Sequence, residues 1–309
     1  MATQAELQQL NDTLFEQLAD PMMQKRAVDA VNDFTRTTMR EDGFARKIIP
    51  PVDISNDELD RAVDTDQPQK IVDREPGNPP AISLPFGSLP INVYIYGQRY
   101  RVGFDRIVSA RFMKDVDELR TYVMDIRQVL SDNSVKDMLA EEDSKFILAV
   151  NAVMLGADVA VPHNGNVVQW ETIEGGITRE TIQDARKIMP RGPSHLEAHT
   201  AIVNNVTIKE AEKMGFDEMG GDFSQDVFRN GWAEVEFASL RWIITIKRTL
   251  IPDDSMYMFS DPKFIGKMYL LEDSTMFMER RAFMIEWFCY QTMGGSIGHG
   301  GGLARADFS

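Results

Sequence analysis

Between residues 68 and 90 the chain carries six prolines: Pro68, Pro76, Pro79, Pro80, Pro85 and Pro90. Each proline removes a backbone donor, so a segment this rich in them cannot be a central strand. The run that follows, INVYIYGQRYRVGFDRI, alternates apolar and polar residues. Ile91, Val93 and Ile95, then Tyr100, Val102 and Phe104, keep a period of two, and Gly97 sits where a strand would bend or turn. Residues 65–111 are therefore expected to form an edge ribbon or projecting loop with aromatic and arginine side chains on display. Tyr94, Tyr96, Arg99, Tyr100 and Arg101 are of the types enriched at protein interfaces. A hairpin lying over the chain's own core fits the same pattern, and the residues alone leave the two open.

On both sides of this segment the period is helical. Leu7, Leu10, Leu14 and Leu18 recur at spacings of three and four, and Asp20-Pro21 interrupts them. Met23, Ala27, Ala30, Val31 and Phe34 continue on one side of a second helix over residues 22–40. After Gly43, FARKIIPPVDI is expected to be extended, because of Pro50, Pro51 and the β-branched residues. These pieces make an N-terminal arm with no core of its own. From Asp115, Val116, Leu119, Val123, Ile126 and Leu130 trace one helical face; Val135, Met138, Leu139, Phe146, Val150 and Val153 trace another. This predicts one long helix, or two end to end, of ~40 residues and roughly 60 Å. Glu141, Glu142 and Asp143 fan out around its axis, so they do not converge on one metal and are expected on a solvated face.

Residues 163–235 mix short elements. VVQW has strand character, and ITRETIQDARKIMP is a helix with Thr178 as N-cap and Thr181 or Asp184 on its exposed side. TAIVNNVTI is a buried strand and turn, and TIKEAEKMG a short helix closed by Gly215. Residues 236–309 return to alternation in LRWIITIKRTLIP, KMYLLE and TMFMERRAFMIEWFCYQTMGG. The fold class is α+β.

With 309 residues the chain exceeds what one ordinary core needs. Its net charge of -15 argues against gripping nucleic acid or anionic membrane as a main task, since both need a basic surface. No apolar stretch approaches the ~20 residues of a membrane span, and the polar N-terminus has no secretory pattern, so synthesis in the cytosol is expected. Cys289 is the single cysteine, which excludes an internal disulfide. Of 18 methionines, seven fall between Met256 and Met293, a pattern of adaptable core filling or of a surface that repacks against several neighbours.

Candidate chemistry is sparse. His195 and His199 flank Glu197, but on a helix Glu197 would lie roughly 200° from His195. Gly192-Pro193 precedes them and a strand follows, so a polar lead-in to a strand is expected in place of a metal site. GGSIGHGGG lacks the lysine and Ser/Thr of a phosphate loop, and His299 within it has no evident base or nucleophile partner. Cys289 lies in an apolar run and is expected to be buried and inert. Asp253-Asp254 after Pro252 is turn chemistry. No cofactor or metal is implied, and no enzymatic activity.

The order of segments resembles the major capsid proteins of tailed bacteriophages, whose fold is shared by encapsulin nanocompartments. GFARKIIPP is similar to the strand leaving the N-terminal arm, and PAISLPFGSLPINVYIYGQRYRVGFDRI to the extended β-hairpin loop. VDELRTYVMDIRQVLSDNSVKDMLAEEDSKFILAV is similar to the spine helix, and ITRETIQDARKIMP with AIVNNVTIKEAEKMG to the helix–strand–helix of the axial domain. IPDDSMYMFSDPKF through the C-terminal glycine turn resembles the closing strands of the peripheral domain. The implied division is an arm at 1–64, the extended loop at 65–111, a peripheral domain with spine helix at 112–155 and 236–309, and an axial domain at 156–235.

What the resemblance implies is a shell protein building hexamers and pentamers of an icosahedral phage head, assembled in the host cytoplasm and enclosing DNA without sequence-specific binding. Its partners would be copies of itself, with separate scaffolding, portal and decoration proteins and no membrane. An arm of this length is expected to go with a separate scaffold and no cleavage, and Lys70 has no basis as a crosslinking residue. Phe44, Arg46, Phe86, Tyr94, Tyr96, Arg99, Tyr100 and Arg101 are the candidate subunit contacts; Pro50, Pro51, Gly97 and Gly103 are the candidate hinges. The rival readings are an encapsulin-type compartment and a metal-dependent hydrolase using His195, His199 and a remote acid.

Overall fold

The computed structural model describes residues 43–62, 64–75, 81–90, 92, 94, 96–120, 126–155, 169–192, 194–211, 236–237 and 239–309. The helices expected over residues 2–20 and 22–40, and the Gly215 cap, lie outside these residues.

The first described element corrects an expectation: Phe44–Ile48 is a short helix, α1, and not a strand. Its free N-terminal donors explain why. Asp143 Oδ1 accepts from the Ala45 N–H at 3.0 Å, satisfying a donor that an isolated turn would leave to solvent. After α1 come the two-residue strands β1 (Val52–Asp53) and β2 (Asp60–Arg61), then β3 (Pro68–Arg74) and β4 (Gln98–Gly103). Strands β2, β3 and β4 form a three-stranded antiparallel ribbon, with β3 and β4 in register from Gln69↔Gly103 to Arg74↔Gln98. β3 is thus the middle strand of the three, which corrects the expectation that the proline-rich run holds no central strand: Pro68 stands at its first position, where a missing donor is tolerated, and the other prolines fall after it.

Strands β5 (Asp105–Val108) and β6 (Phe112–Asp115) lead into α2 (Val116–Arg120) and the spine helix α3 (Ile126–Met154). At 29 residues α3 is about 44 Å long, and residues 121–125 between α2 and α3 lie outside the described residues. Val135, Met138, Leu139, Phe146, Ile147, Val150 and Val153 bury one face of α3, as the helical period predicted.

Two sheets complete the body. β7 (Trp170–Ile173), α4 (Arg179–Arg186), β8 (Thr200–Asn204) and α5 (Thr207–Ala211) are followed by β9 (Glu236–Phe237), β10 (Leu240–Thr245), β11 (Ser255–Phe259) and α6 (Pro262–Ile265). The chain ends with β12 (Gly266–Arg281), β13 (Met284–Ile297) and β14 (Leu303–Phe308). A long β12–β13 hairpin carries β1 on one edge and β5 and β6 on the other. The six-stranded sheet has the order β7-β14-β11-β8-β10-β9. It interleaves strands from residues 170–204 with strands from 236–308, so residues 240–259 and 303–308 sit in one sheet with β7 and β8, whereas the expected division placed them in the peripheral unit.

Thr178 caps α4 in a reciprocal capping box with Thr181, whose hydroxyl also donates to Gly176 O. Thr181 is thereby buried; Asp184 is the exposed member of the pair named from sequence. One core lies between α3 and the hairpin, around Met268, Met276, Trp287 and Cys289. The second packs α4 and α5 on the six-stranded sheet, around Ile182, Met189, Trp242, Met256 and Met258. The C-terminal methionines are thus core filling, with Met256, Met258, Met268, Met276, Met278 and Met293 all buried.

Candidate subunit-contact surfaces

The ribbon ends in a tip made by local chemistry. Pro85 C=O accepts from Ser88 N–H at 3.1 Å, and Gly87, at φ +89°, takes the third position of the turn. A turn of this kind needs positive φ there, which glycine supplies without a Cβ clash. The turn sets Phe86 at its apex, fully exposed. Leu89 is 89 % exposed, and Tyr94 and Tyr96 are each 77 % exposed, with ring centroids 4.7 Å apart. Among the described residues nothing covers this group. Exposed aromatic and aliphatic side chains gathered in one segment are of the kind found at interaction surfaces.

Farther down, Arg99 pairs with Asp73 across β4 and β3 at 2.8 Å. Both groups are solvent-exposed, so the pair contributes at most about 1 kcal/mol. Arg101 is exposed as well. Tyr100 is not: it is half-buried, and its ring lies so close to Gly298 that a Cβ there would come within 2.8 Å. Burial raises the pKa of its hydroxyl, with Tyr269 adding to the effect. Tyr100 is committed to its own chain as the footing of the ribbon. Gly294 approaches as closely on the same side: a Cβ on it would stand 2.6 Å from Gly103 O, which wedges the ribbon root against β13 at Gly103. Gly97 is open, Pro50 is exposed and Pro51 is half-buried.

Phe44 and Arg46 correct the sequence expectation: both are buried within this chain and are unavailable to a neighbour. So do the acids of α3. Glu142 and Asp143 are 1 % and 0 % exposed, not solvated. Arg46 Nε donates to Glu142 Oε1 at 2.9 Å, and its Nη2 donates to Gln291 Oε1 at 3.1 Å. Gln291 Nε2 in turn donates to Glu142 Oε2 at 3.2 Å. Asp143 accepts from Lys247 Nζ at 2.5 Å and from the Ala45 N–H. Burial raises the pKa of Asp143, while the Lys247 and Ala45 hydrogen bonds pull it back. Lys247 Nζ also lies 5.6 Å from the centre of the Phe44 ring. Two adjacent carboxylates thus rivet the arm to the spine. A sequence signal for one of them existed, because position 142 is in phase with Val135, Met138, Leu139 and Phe146.

The catalytic candidates do not assemble. Residues 195–199 are irregular before β8, with His195 at φ 49° and the His199 N–H bound to Phe259 O at 2.8 Å. Among the described residues no group of three or more His, Cys, Asp or Glu is placed to hold a metal. His299 does have a partner, contrary to expectation: its Nε2 lies 2.9 Å from Ser194 Oγ. Its Nδ1 is buried without a hydrogen-bond partner among the described residues, so none of those residues supplies the acid that orients the histidine of a hydrolytic triad. Burial and the nearby Arg74 charge both lower the pKa of His299. Asp254, at φ 59°, lies in a turn, and Asp253 is held by Arg248 and Asn204. Cys289 is buried, and desolvation pushes its thiol up to about 11, which leaves it unreactive at neutral pH.

No family model and no curated protein matches the chain. Solved structures do match. The mature capsid of bacteriophage PhiM1 superposes with a TM-score of 0.60 at 10 % identity, over 87 % of each chain. The capsid of cyanophage P-SCSP1u gives 0.59 at 11 % identity, over 84 % of this chain and 87 % of that one. A virus-like particle from Pyrococcus furiosus gives 0.54 at 10 % identity, over 91 % of this chain and 99 % of that one. The mixed α+β body therefore has the fold shared by these phage capsid and virus-like-particle chains.

Proposed function

We propose that this chain is a structural major capsid protein that self-assembles into hexamers and pentamers of an icosahedral phage head. The observation that carries the reading is the ribbon tip. Phe86, Leu89, Tyr94 and Tyr96 stand in water with no described part of their own chain over them, and another copy is the simplest cover. Phe86, Tyr94, Tyr96, Arg99 and Arg101 are the proposed contact residues, and Pro50, Pro51 and Gly97 the points where the chain adjusts between hexamer and pentamer. The net charge of -15 suits a wall that confines DNA without gripping it. Separate scaffolding, portal and decoration proteins complete the assembly, which takes place in the host cytoplasm.

Electron microscopy of negatively stained purified protein, with light scattering on the same sample, tests this. Capsomer rings or closed shells are expected. A small species that assembles neither alone nor with a co-expressed scaffolding protein overturns the reading. A second reading is a compartment that holds protein cargo; the Pyrococcus furiosus virus-like particle, 99 % of whose chain is covered, shares the fold. Nucleic acid inside purified shells decides for the head; protein cargo decides for the compartment.

A further inference from the structure

Where the ribbon meets the body there is a cleft of about 500 Å³, walled by β3 and β4 on one side and by residues 263–267 and Gly298–His299 on the other. Its charged groups do not balance. Of the two acids in the lining, Asp73 is tied to Arg99 at 2.8 Å. Of the cations, Lys263 is tied to Asp261 at 3.4 Å. That leaves Arg74 and Lys267, neither in an ion pair among the described residues, against Glu75 alone. Residues 76–80 read Pro-Gly-Asn-Pro-Pro and bring no further acid.

His299 lines the same cleft, with its Nε2 2.9 Å from Ser194 Oγ. Arginine and lysine facing one cleft form a donor set suited to an oxyanion, the guanidinium offering two parallel donors and the ammonium a point charge.

We propose that this cleft binds a phosphate-class oxyanion, held by Arg74 from the ribbon and by Lys267 from the body. The bound anion bridges two parts of the chain that otherwise meet at Tyr100–Gly298 and Gly103–Gly294, and so stiffens the ribbon root. The site lies within one chain and does not depend on assembly.

The test is calorimetric titration of the full, unassembled chain with inorganic phosphate, against sodium chloride at matched ionic strength. Saturable binding with a Kd on the order of 1 mM is expected, the range of a few charge-assisted hydrogen bonds. Arg74→Ala and Lys267→Ala remove side chains outside both cores, and each is expected to weaken binding tenfold or more. Lys187→Ala, at the C-cap of α4 and outside the cleft lining, is expected to bind as the parent does. Displacement of phosphate by a short single-stranded oligonucleotide would assign the site to backbone phosphodiesters, and its failure to displace would assign it to the free anion. Heat no different from the chloride control, or wild-type affinity in both variants, overturns the proposal.

Discussion

Arg46 and Glu142 lie 96 residues apart in sequence and meet 2.9 Å apart in the interior, joining the N-terminal arm to the spine helix. With Gln291 they close a triangle of hydrogen bonds that uses the polar capacity of a buried carboxylate. Such a pair adds little net stability over an apolar one, but losing one member is costly because the other stays buried and charged.

Arg46→Ala should therefore lower the unfolding free energy by about 3–5 kcal/mol. Replacing both residues, as Arg46→Met with Glu142→Met, should recover most of that loss. Urea unfolding followed by circular dichroism measures both, and equal losses in the two variants would contradict the pairing.

At the ribbon root the contrast is between neighbouring glycines. A methyl at Gly294 would stand 2.6 Å from the Gly103 carbonyl, whereas one at Gly295 meets no described atom within 4 Å. Gly294→Ala should cost about 1–3 kcal/mol by forcing β4 off β13. Gly295→Ala should change stability by less than about 0.5 kcal/mol. Thermal unfolding of the two variants side by side is the check.

Cys289 makes stability fall at alkaline pH. Its thiol is held up to about 11 in the folded chain, so the unfolded chain loses the proton first. Folding stability should be level in this respect below about pH 8.5 and decline above it, by up to about 1.4 kcal/mol per pH unit, until the pH reaches the folded value. Cys289→Ala should remove that component. A thiol reagent at pH 8 should label the wild-type chain only as fast as it opens.

For the tip, Phe86→Ser together with Tyr94→Ser should leave the stability of the unassembled chain within about 0.5 kcal/mol, since neither side chain is buried in it. The same change should abolish or greatly reduce the assembled fraction seen by sedimentation. Undiminished assembly would remove the tip from the subunit contact.

The parts of the fold that were legible in the sequence are those where a single period decides the outcome. The apolar face of α3, the alternation of β10, β12 and β13, the Thr178 cap and the proline-rich ribbon follow from residues near one another along the chain. Local rules failed where a distant partner intervenes. Phe44–Ile48 has the composition of an extended segment and becomes a helix because Asp143 meets its N-terminal donor. Glu142 and Asp143 are charged yet lie inside, because Arg46, Gln291 and Lys247 converge on them from three other elements. Tyr100 has the look of a contact residue and is drawn under the ribbon by Gly298.

By itself, then, the sequence determined the fold class, the order of its parts, and the existence of a proline-rich ribbon. The tertiary structure alone decided which polar groups are buried, how β7, β8, β10, β11 and β14 interleave into one sheet, and which ribbon side chains remain free. The reason is physical: a local period reports on which side a residue points, whereas the stability of a buried charge depends on donors that the chain delivers from ~100 or more positions away, at a loop-closure cost that grows only slowly with that distance.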